Sequence, residues 1–164
     1  MPRAGKEIAL DTNILLELGA ESDPAHDFRE TFQGLDYRLL VPPTVIFEIT
    51  WLGLHGNETQ KTHASAAHQQ MESWGLQPYG ITKDADDLAR EFSRLLRQRR
   101  LLPTDQQNDG RILAETAINE IQVLATTDKH LLDIDERELH LAFFAMDLPV
   151  VSPLHPKALL RALR

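Results

Sequence analysis

Hydrophobic residues follow two spacings along this chain, and the two alternate. Short apolar runs at 7–10, 37–41 and 123–125 end at polar turns or prolines, which predicts buried strands. A last strand is predicted at 150–151, stopped by Pro153. Between these runs, apolar residues recur at helical spacing. This spacing predicts helices that begin near Asp23, Pro43, Asn57, Asp84 and Asp109, and a closing helix over 156–163.

The alternation of strands and helices indicates the fold class. Strands separated by helices pair in parallel and are covered on both faces, so we expect an α/β fold with a mainly parallel central sheet. The sequence has no internal repeat, linker or low-complexity tract, and its 164 residues predict a single domain over 1–164. The structure of 133–148 stays open, because residues 139–146 fit a helix or a strand equally well.

Composition narrows the kinds of partner. With 17 Lys plus Arg against 25 Asp plus Glu, the formal charge is −8, which argues against a protein that holds nucleic acid by bulk charge. The absence of cysteine excludes disulfides and thiolate metal sites. No apolar run approaches the roughly 18 to 20 residues of a membrane span, and residues 1–6 contain no signal-peptide stretch. We therefore expect a cytoplasmic protein without a membrane partner.

Four acidic residues lie where the predicted sheet brings them together. Asp11 and Asp128 each follow a strand, and Asp109 opens the helix before the strand at 123–125. Glu48 lies in the helix after the second strand. Because side chains from distant parts of the chain converge at the carboxyl ends of parallel strands, we expect these carboxylates to share one edge of the sheet. A hard divalent cation would relieve their repulsion, and an all-oxygen ligand set favours Mg²⁺ or Mn²⁺ over zinc.

The acids lie in four short motifs that occur in a defined order. They are IALDTNIL (8–15), VPPTVIFE (41–48), NDGRILA (108–114) and LATTD (124–128). In this order and spacing the chain resembles the PIN-domain nuclease superfamily, and the tail from Val150 is similar to that family's last strand and helix. The resemblance implies a three-layer α/β/α sandwich. It also implies a metal-dependent phosphodiesterase, usually an endoribonuclease that acts on single-stranded or structured RNA.

The same resemblance assigns roles to individual residues. The ligands of one or two Mg²⁺ or Mn²⁺ ions would be Asp11, Glu48, Asp109 and Asp128. The ions would orient and deprotonate an attacking water and stabilise the leaving oxygen. Asn13 and Thr126, at supporting positions of the family pattern, would hydrogen-bond the ligating carboxylates.

The subgroup within the superfamily stays open. VapC-like toxins usually have a glycine before the last of these strands, where this chain has Glu120-Ile121-Gln122. The run at 108–113 instead resembles PhoH-type and other stand-alone PIN domains. Whether the protein is the toxin of a toxin-antitoxin pair, with an antitoxin protein as its partner, is therefore not decided by the sequence.

Surface features suggest where substrate and subunits bind. An acidic site must still receive RNA phosphates, so nearby basic side chains are the expected backbone contacts. These are Arg94, Arg97, Arg99, Arg100 and Arg111. The segment 64–74 and the Arg-bearing helix would offer the face of a homodimer.

Several alternatives compete with these predictions. Asp11 would also suit a plain turn, Asp109 or Asp128 a helix cap, and Glu48 a surface charge. Asp105 competes with Asp109 on the same loop. The rival functions are a non-catalytic PIN-like module that binds RNA or protein, and a haloacid-dehalogenase-type phosphatase. The phosphatase needs a second acid two positions after the first, where this chain has Asn13.

Overall fold

A computed structural model describes residues 6–163 of the chain. The prediction that the extreme N-terminus lacks a signal-peptide stretch falls almost entirely on residues 1–5, which lie outside the described residues. The outer ends of the domain predicted over 1–164 lie outside them as well.

Five parallel strands form one central sheet. They are β1 (Glu7–Leu10), β2 (Arg38–Val41), β3 (Gln77–Pro78), β4 (Val123–Ala125) and β5 (Ser152–Leu154). The strand order is β3-β2-β1-β4-β5, and every pair is parallel, as predicted. In β1, Ala9 pairs with Leu40 on one side and with Leu124 on the other. From β1 the chain first adds β2 and β3 on one side of the sheet and then adds β4 and β5 on the other side. Open parallel sheets typically form their binding sites at such a switch point.

Helices flank the sheet and complete the three-layer α/β/α sandwich. Within residues 6–163 they are α1 (Thr12–Gly19), α2 (Asp23–Gly34), α3 (Pro43–His55), α4 (Glu58–Gln70), α5 (Lys83–Gln98), α6 (Gln107–Ile118), α7 (Lys129–Leu132), α8 (Glu136–Ala145) and α9 (Pro156–Arg161). The segment that the sequence left open is therefore helical over α8. Across the same residues, no helix has the length and apolar character that a membrane crossing requires.

The central strands are buried on both faces, which explains why their sequences are continuous apolar runs. Ile8, Ala9 and Leu10 of β1 lie in the core. Aromatic residues from the helices fill the space around the sheet, and Phe92 of α5 stacks on Phe143 of α8 with ring centroids 4.7 Å apart. The strand ends that follow these runs are therefore rigidly placed.

Some predicted boundaries are wrong for local reasons. The helix α2 begins at Asp23 as expected, and Ser22 caps it through a side-chain bond to a backbone N–H. The last strand is Ser152–Leu154 and includes Pro153, which was expected to stop it. An edge strand accepts proline because one side of its backbone has no partner strand. Neither α1 nor the two-residue β3, which also contains a proline, was predicted.

The apolar residues of 64–74 pack inward. Ala64, Ala67, Met71 and Trp74 are all buried in the core of the same chain. A homodimer face on this segment would therefore have to use its exposed residues, and the homodimer stays a prediction.

Candidate active site

Asp11 lies at the carboxyl end of β1 and is held on both oxygens. Its backbone N–H donates to the Ala125 carbonyl at 3.0 Å, which extends the pairing of β1 with β4. The Thr12 N–H donates to Oδ1 at 2.8 Å, and the Thr126 hydroxyl donates to Oδ2 at 2.7 Å. The Asp11 side chain also caps α1, so one buried carboxylate joins two strands and a helix start.

Glu48 reaches the same edge of the sheet from α3. Its Oε1 accepts a hydrogen bond from the Thr12 hydroxyl, and its Oε2 accepts one from Asn108 Nδ2 at 3.3 Å. Thr12 therefore connects two of the predicted acids, with its backbone N–H on Asp11 and its hydroxyl on Glu48.

Asp109 lies in the first turn of α6 and is not its N-cap, because the helix is preceded by Gln106. The side chain is 7% exposed. Its position depends on a close approach of α6 to α5, since a Cβ on Gly110 would lie 2.7 Å from the Cα of Ser93. The Ser93 hydroxyl also donates to the Gln107 carbonyl at 2.6 Å. Asp109 is thus fixed by backbone packing.

Asp128 follows β4 and caps α7. Its Oδ1 accepts a hydrogen bond from the His130 N–H at 2.8 Å. Its own N–H donates to the Thr126 hydroxyl oxygen at 3.0 Å, while that hydroxyl donates to Asp11. The capping role and a ligating role are compatible, since the cap uses one oxygen of the carboxylate.

Burial and mutual repulsion raise the pKa of two of these carboxyls. The pKa of Asp109 is raised to about 9, mainly by burial; the negative charges of Asp11, Asp128 and Glu48 add to the rise, as does a hydrogen bond that protonated Asp109 makes with Asp128. The pKa of Asp11 is raised to about 6, again mainly by burial, although its two hydrogen-bond donors oppose the rise. The charged forms are therefore disfavoured in this pocket unless a cation compensates them.

The donor set fits a hard divalent cation. Asp109 Oδ2 is buried and accepts no hydrogen bond, and such an oxygen is costly unless something binds it. None of the four acids forms an ion pair within residues 6–163. The carboxylates have not converged on one point, since no group of three or more acidic, His or Cys side chains in the described part of the chain has the arrangement of a metal site.

The sequence matches the PIN domain family over residues 8–137. The chain belongs to the PIN domain family. The match includes all four acids, and it confirms the superfamily expected from the motifs.

Solved structures share this fold at low sequence identity. VapBC2 from Rickettsia felis, bound to a DNA fragment from its promoter, has a TM-score of 0.61 at 15% identity, over 91% of this chain and 98% of that chain. VapC20 from Mycobacterium tuberculosis, a toxin that cleaves the sarcin-ricin loop, has a TM-score of 0.52 at 20% identity, over 74% and 89%. FitAcB from Neisseria gonorrhoeae has a TM-score of 0.51 at 18% identity, over 91% and 97%. No curated protein matches the chain.

The supporting residues of this PIN domain differ in part from those expected. Thr126 contacts Asp11, whereas Asn13 is exposed and makes no side-chain hydrogen bond within residues 6–163. Thr12 and Asn108, which were not predicted, contact the acids instead. Because α1 begins at Thr12, each further residue turns by about 100° around the helix, and Asn13 is carried away from the pocket. A hydroxyl directly after a strand-end acid is the signal that could have identified Thr12.

Arg111 is the one predicted RNA contact that is tied to another element. Its Nη2 lies 3.1 Å from Asp86 Oδ1 of α5, and Asp86 also binds Arg90 at 3.1 Å. The Arg111 Nε is buried without a hydrogen-bond partner. This arginine is therefore engaged with α5, and its role as an RNA contact stays a prediction.

The other four arginines lie at the end of α5 and just after it. Arg94 pairs with Glu91 at 2.7 Å, and Arg97 donates to the Thr104 carbonyl at 3.4 Å. Arg99 and Arg100 are exposed and follow the helix. Because Ser93 bonds the start of α6, these arginines flank the loop that leads to Asp109.

Proposed function

We propose that this PIN domain is a metal-dependent endoribonuclease that hydrolyses RNA phosphodiester bonds at the carboxylate pocket. The ligands of the Mg²⁺ or Mn²⁺ would be Asp11, Glu48, Asp109 and Asp128. The observation that carries the proposal is the buried Asp109 Oδ2, which has no partner and lies among other carboxylates. Membership of the family supports it, because PIN nucleases generally use divalent metal ions.

A bound divalent ion supplies a Lewis acid and lowers the pKa of a water molecule. The chain's own residues orient the ligands. The Thr12 and Thr126 hydroxyls both donate to carboxylates and so help to orient them, and the attacking group in this proposal is a water molecule. With a pKa of about 9, Asp109 holds a proton at neutral pH in the free protein and must release it when a cation binds. Metal affinity should therefore increase with pH.

RNA is the substrate that the available surface and the comparisons favour. The net charge of −8 leaves the local arginines as the means of holding phosphates, and Arg99 and Arg100 are exposed beside the loop before α6. VapC20, which shares the fold, cleaves the sarcin-ricin loop. We extend the proposal to RNA with single-stranded or structured segments.

The protein would act as the toxin of a toxin-antitoxin pair in the cytoplasm. VapC20 is a toxin, which supports this role. A partner protein has a surface to bind on α3, where Phe47, Trp51 and Leu54 are 60%, 50% and 67% exposed and fall on one face. The same stripe favours the second candidate, a protein-binding PIN module without activity. We place an antitoxin here; a homodimer remains a prediction with no assigned face.

A cleavage assay with matched variants tests the proposal. A labelled RNA panel is incubated with wild type, Asp11→Asn, Asp109→Asn and Asp105→Asn, with Mg²⁺, Mn²⁺ or chelator. Asp105 is an exposed acid on the loop before α6, so its variant is the same chemical change outside the pocket. We expect wild type and Asp105→Asn to cleave RNA when metal is present. The cleavage rate should fall by about 100-fold or more in the two pocket variants and in all proteins when chelator is added.

Equal cleavage by wild type and both pocket variants would place the activity elsewhere and overturn the assignment. If no RNA is cleaved with either metal, while the product of a neighbouring gene still co-purifies with the protein, the binding module replaces the nuclease. Growth arrest on induction of wild type but not of Asp109→Asn tests the toxin role separately.

A further inference from the structure

Glu115 is a buried acid that the proposed chemistry does not use. It lies on α6, and its exposed fraction is 0%. Both of its carboxylate oxygens accept hydrogen bonds from one residue of α3: the Thr44 N–H donates to Oε1 at 2.9 Å, and the Thr44 hydroxyl donates to Oε2. Glu115 thus binds the first turn of α3 across 71 positions of sequence.

The first turn of α3 needs such a partner. Its N-cap is Pro42, which makes no side-chain capping bond, and the next residue is Pro43, which has no N–H. The first amide of the helix is therefore that of Thr44, and this residue is buried, away from water. A carboxylate satisfies the amide and complements the positive end of the helix dipole. Glu115 supplies from α6 the cap that α3 lacks in its own sequence.

The contact also determines how α3 lies against α6. Glu48 follows Thr44 by one helical turn and lies on the same side of α3. On α6, Glu48 meets Asn108 at 3.3 Å, while Thr44 meets Glu115, so the two helices cross in opposite directions with two links between them. A single contact with α6 would leave α3 free to rotate about it, whereas the two contacts together define the orientation of α3. The Glu115 link is the better fixed of the two, since it has two bonds.

A cation on the same helix supports the negative charge of Glu115. Burial raises the pKa of Glu115, whereas the hydrogen bonds from Thr44 and the charge of Arg111, one turn before it, oppose the rise. Arg111 in turn binds Asp86 of α5 at 3.1 Å. The helix α6 therefore holds the first turn of α3 through Glu115 and is joined to α5 through Arg111, and the packing of α5 on α6 fixes Asp109.

We propose that Glu115 is a positioning residue for the carboxylate pocket. By capping α3, it sets the place of the Glu48 carboxylate opposite Asp109 and so determines the affinity of the pocket for a divalent cation. This inference rests on the proposed metal site, and it assigns to Glu115 no contact with the ion or with RNA.

Calorimetric titration of the whole protein with MnCl₂, without RNA, tests the inference. Thr44→Val removes the hydroxyl that binds Glu115 but leaves every charge in place. Thr116→Val is the matched control, because Thr116 is also buried on α6 and its hydroxyl donates to the Ile112 carbonyl at 2.7 Å and not to Glu115. We expect Thr44→Val to weaken Mn²⁺ binding by about tenfold or more. Thr116→Val should stay within about twofold of wild type, and Thr44→Ser should restore wild-type affinity.

The possible outcomes separate the two proposals. If wild type binds no Mn²⁺, the metal site itself is wrong and the inference fails with it. If wild type binds Mn²⁺ and Thr44→Val binds it equally well, or if both valine variants lose the same affinity, the inference alone is overturned. Should Thr44→Val not fold, as judged by circular dichroism, Glu115→Gln replaces it under the same criteria, since it keeps an oxygen for the Thr44 N–H.

Discussion

The helix α6 carries two buried acids whose surroundings differ. Asp109, in the first turn, has one oxygen without a hydrogen-bond partner and lies among three other carboxylates. Glu115, in the last turns, has both oxygens bonded by Thr44 and a cation, Arg111, one turn away. Burial raises the pKa of both, so a shifted pKa does not distinguish them. What distinguishes them is whether the protein supplies the partners of the carboxylate.

This difference distinguishes an acid that stabilises the fold from an acid that is available to bind a ligand. A buried carboxylate with all its partners contributes to stability, and removing it leaves its donors unsatisfied. A buried carboxylate without partners destabilises the free protein and is compensated when a cation binds. The two acids should therefore respond in opposite directions to mutation, and only Asp109 should respond directly to metal.

The largest expected effect is the loss of Glu115. Glu115→Ala leaves the Thr44 N–H and hydroxyl without their acceptor in a buried setting, so we expect the free energy of unfolding to fall by about 3 kcal/mol. In chelator, Asp109→Asn should leave it unchanged or increase it. Urea denaturation of both variants and of wild type at pH 7 measures the two changes in unfolding free energy. A fall of equal size in both would erase the distinction between the two acids.

The pH dependence of stability sharpens the comparison. The pKa of Asp109 is about 9 in the folded protein, above its ordinary value of 3.8. The folded state therefore binds the proton more tightly, and this contribution to stability is complete below pH 3.8 and is lost as the pH rises through about 9.

Asp109→Asn should remove that pH dependence. In chelator, its advantage in unfolding free energy over wild type should grow steadily between pH 5 and pH 9. Urea denaturation at each pH measures the difference. A difference that stays constant over this range would show that Asp109 is not held in its protonated form.

The arginines offer a parallel contrast between engaged and free groups. Arg99→Ala with Arg100→Ala should weaken RNA binding and reduce the salt slope of the affinity by between one and two, because each neutralises about one phosphate. Arg111→Ala should leave that slope unchanged and instead lower stability by about 1 kcal/mol, since it loses Asp86. Titrations of the Asp11→Asn protein with RNA at several salt concentrations report both. A reduced salt slope in Arg111→Ala would show that Arg111 also contacts RNA phosphates.

The smallest effect is expected at an exposed pair. Arg94 and Glu91 lie 2.7 Å apart on α5, but both side chains are more than half exposed. Glu91→Gln should change the unfolding free energy by less than about 0.5 kcal/mol. A cost near that of Glu115→Ala would mean that burial is not what gives Glu115 its effect.

The strand-end acids could be predicted because their position follows from topology alone. Asp11 and Asp128 each follow a short apolar run, and the carboxyl ends of parallel strands meet at one edge. Thr12 contacts Glu48, and Asn13 does not, because of where α1 begins. The helix starts directly after the strand end, and the only residue between the two elements is Asp11, which was already interpreted as the end of the strand. Such a shift of one residue redirects a side chain by about 100°.

The partner of Glu115 could not be predicted from the sequence. A charged residue among the apolar positions of α6 signals a buried acid, but nothing local indicates Thr44, which lies 71 positions away. Likewise, the charge of Arg111 does not reveal that Asp86 of α5 is beside it. Local patterns predict elements and their ends, whereas pairings across helices depend on tertiary packing.

Thermal denaturation with and without Mn²⁺ tests the central claim, that the carboxylate pocket of Asp109 binds a divalent cation. The proteins compared are wild type, Asp109→Asn and the Asp105→Asn control. At a Mn²⁺ concentration about 100-fold above Kd, binding adds about 2.7 kcal/mol, which raises the Tm by about 5 to 10 °C. We predict this rise in wild type and Asp105→Asn and its absence in Asp109→Asn. The same rise in all three proteins, or in none, would contradict the account.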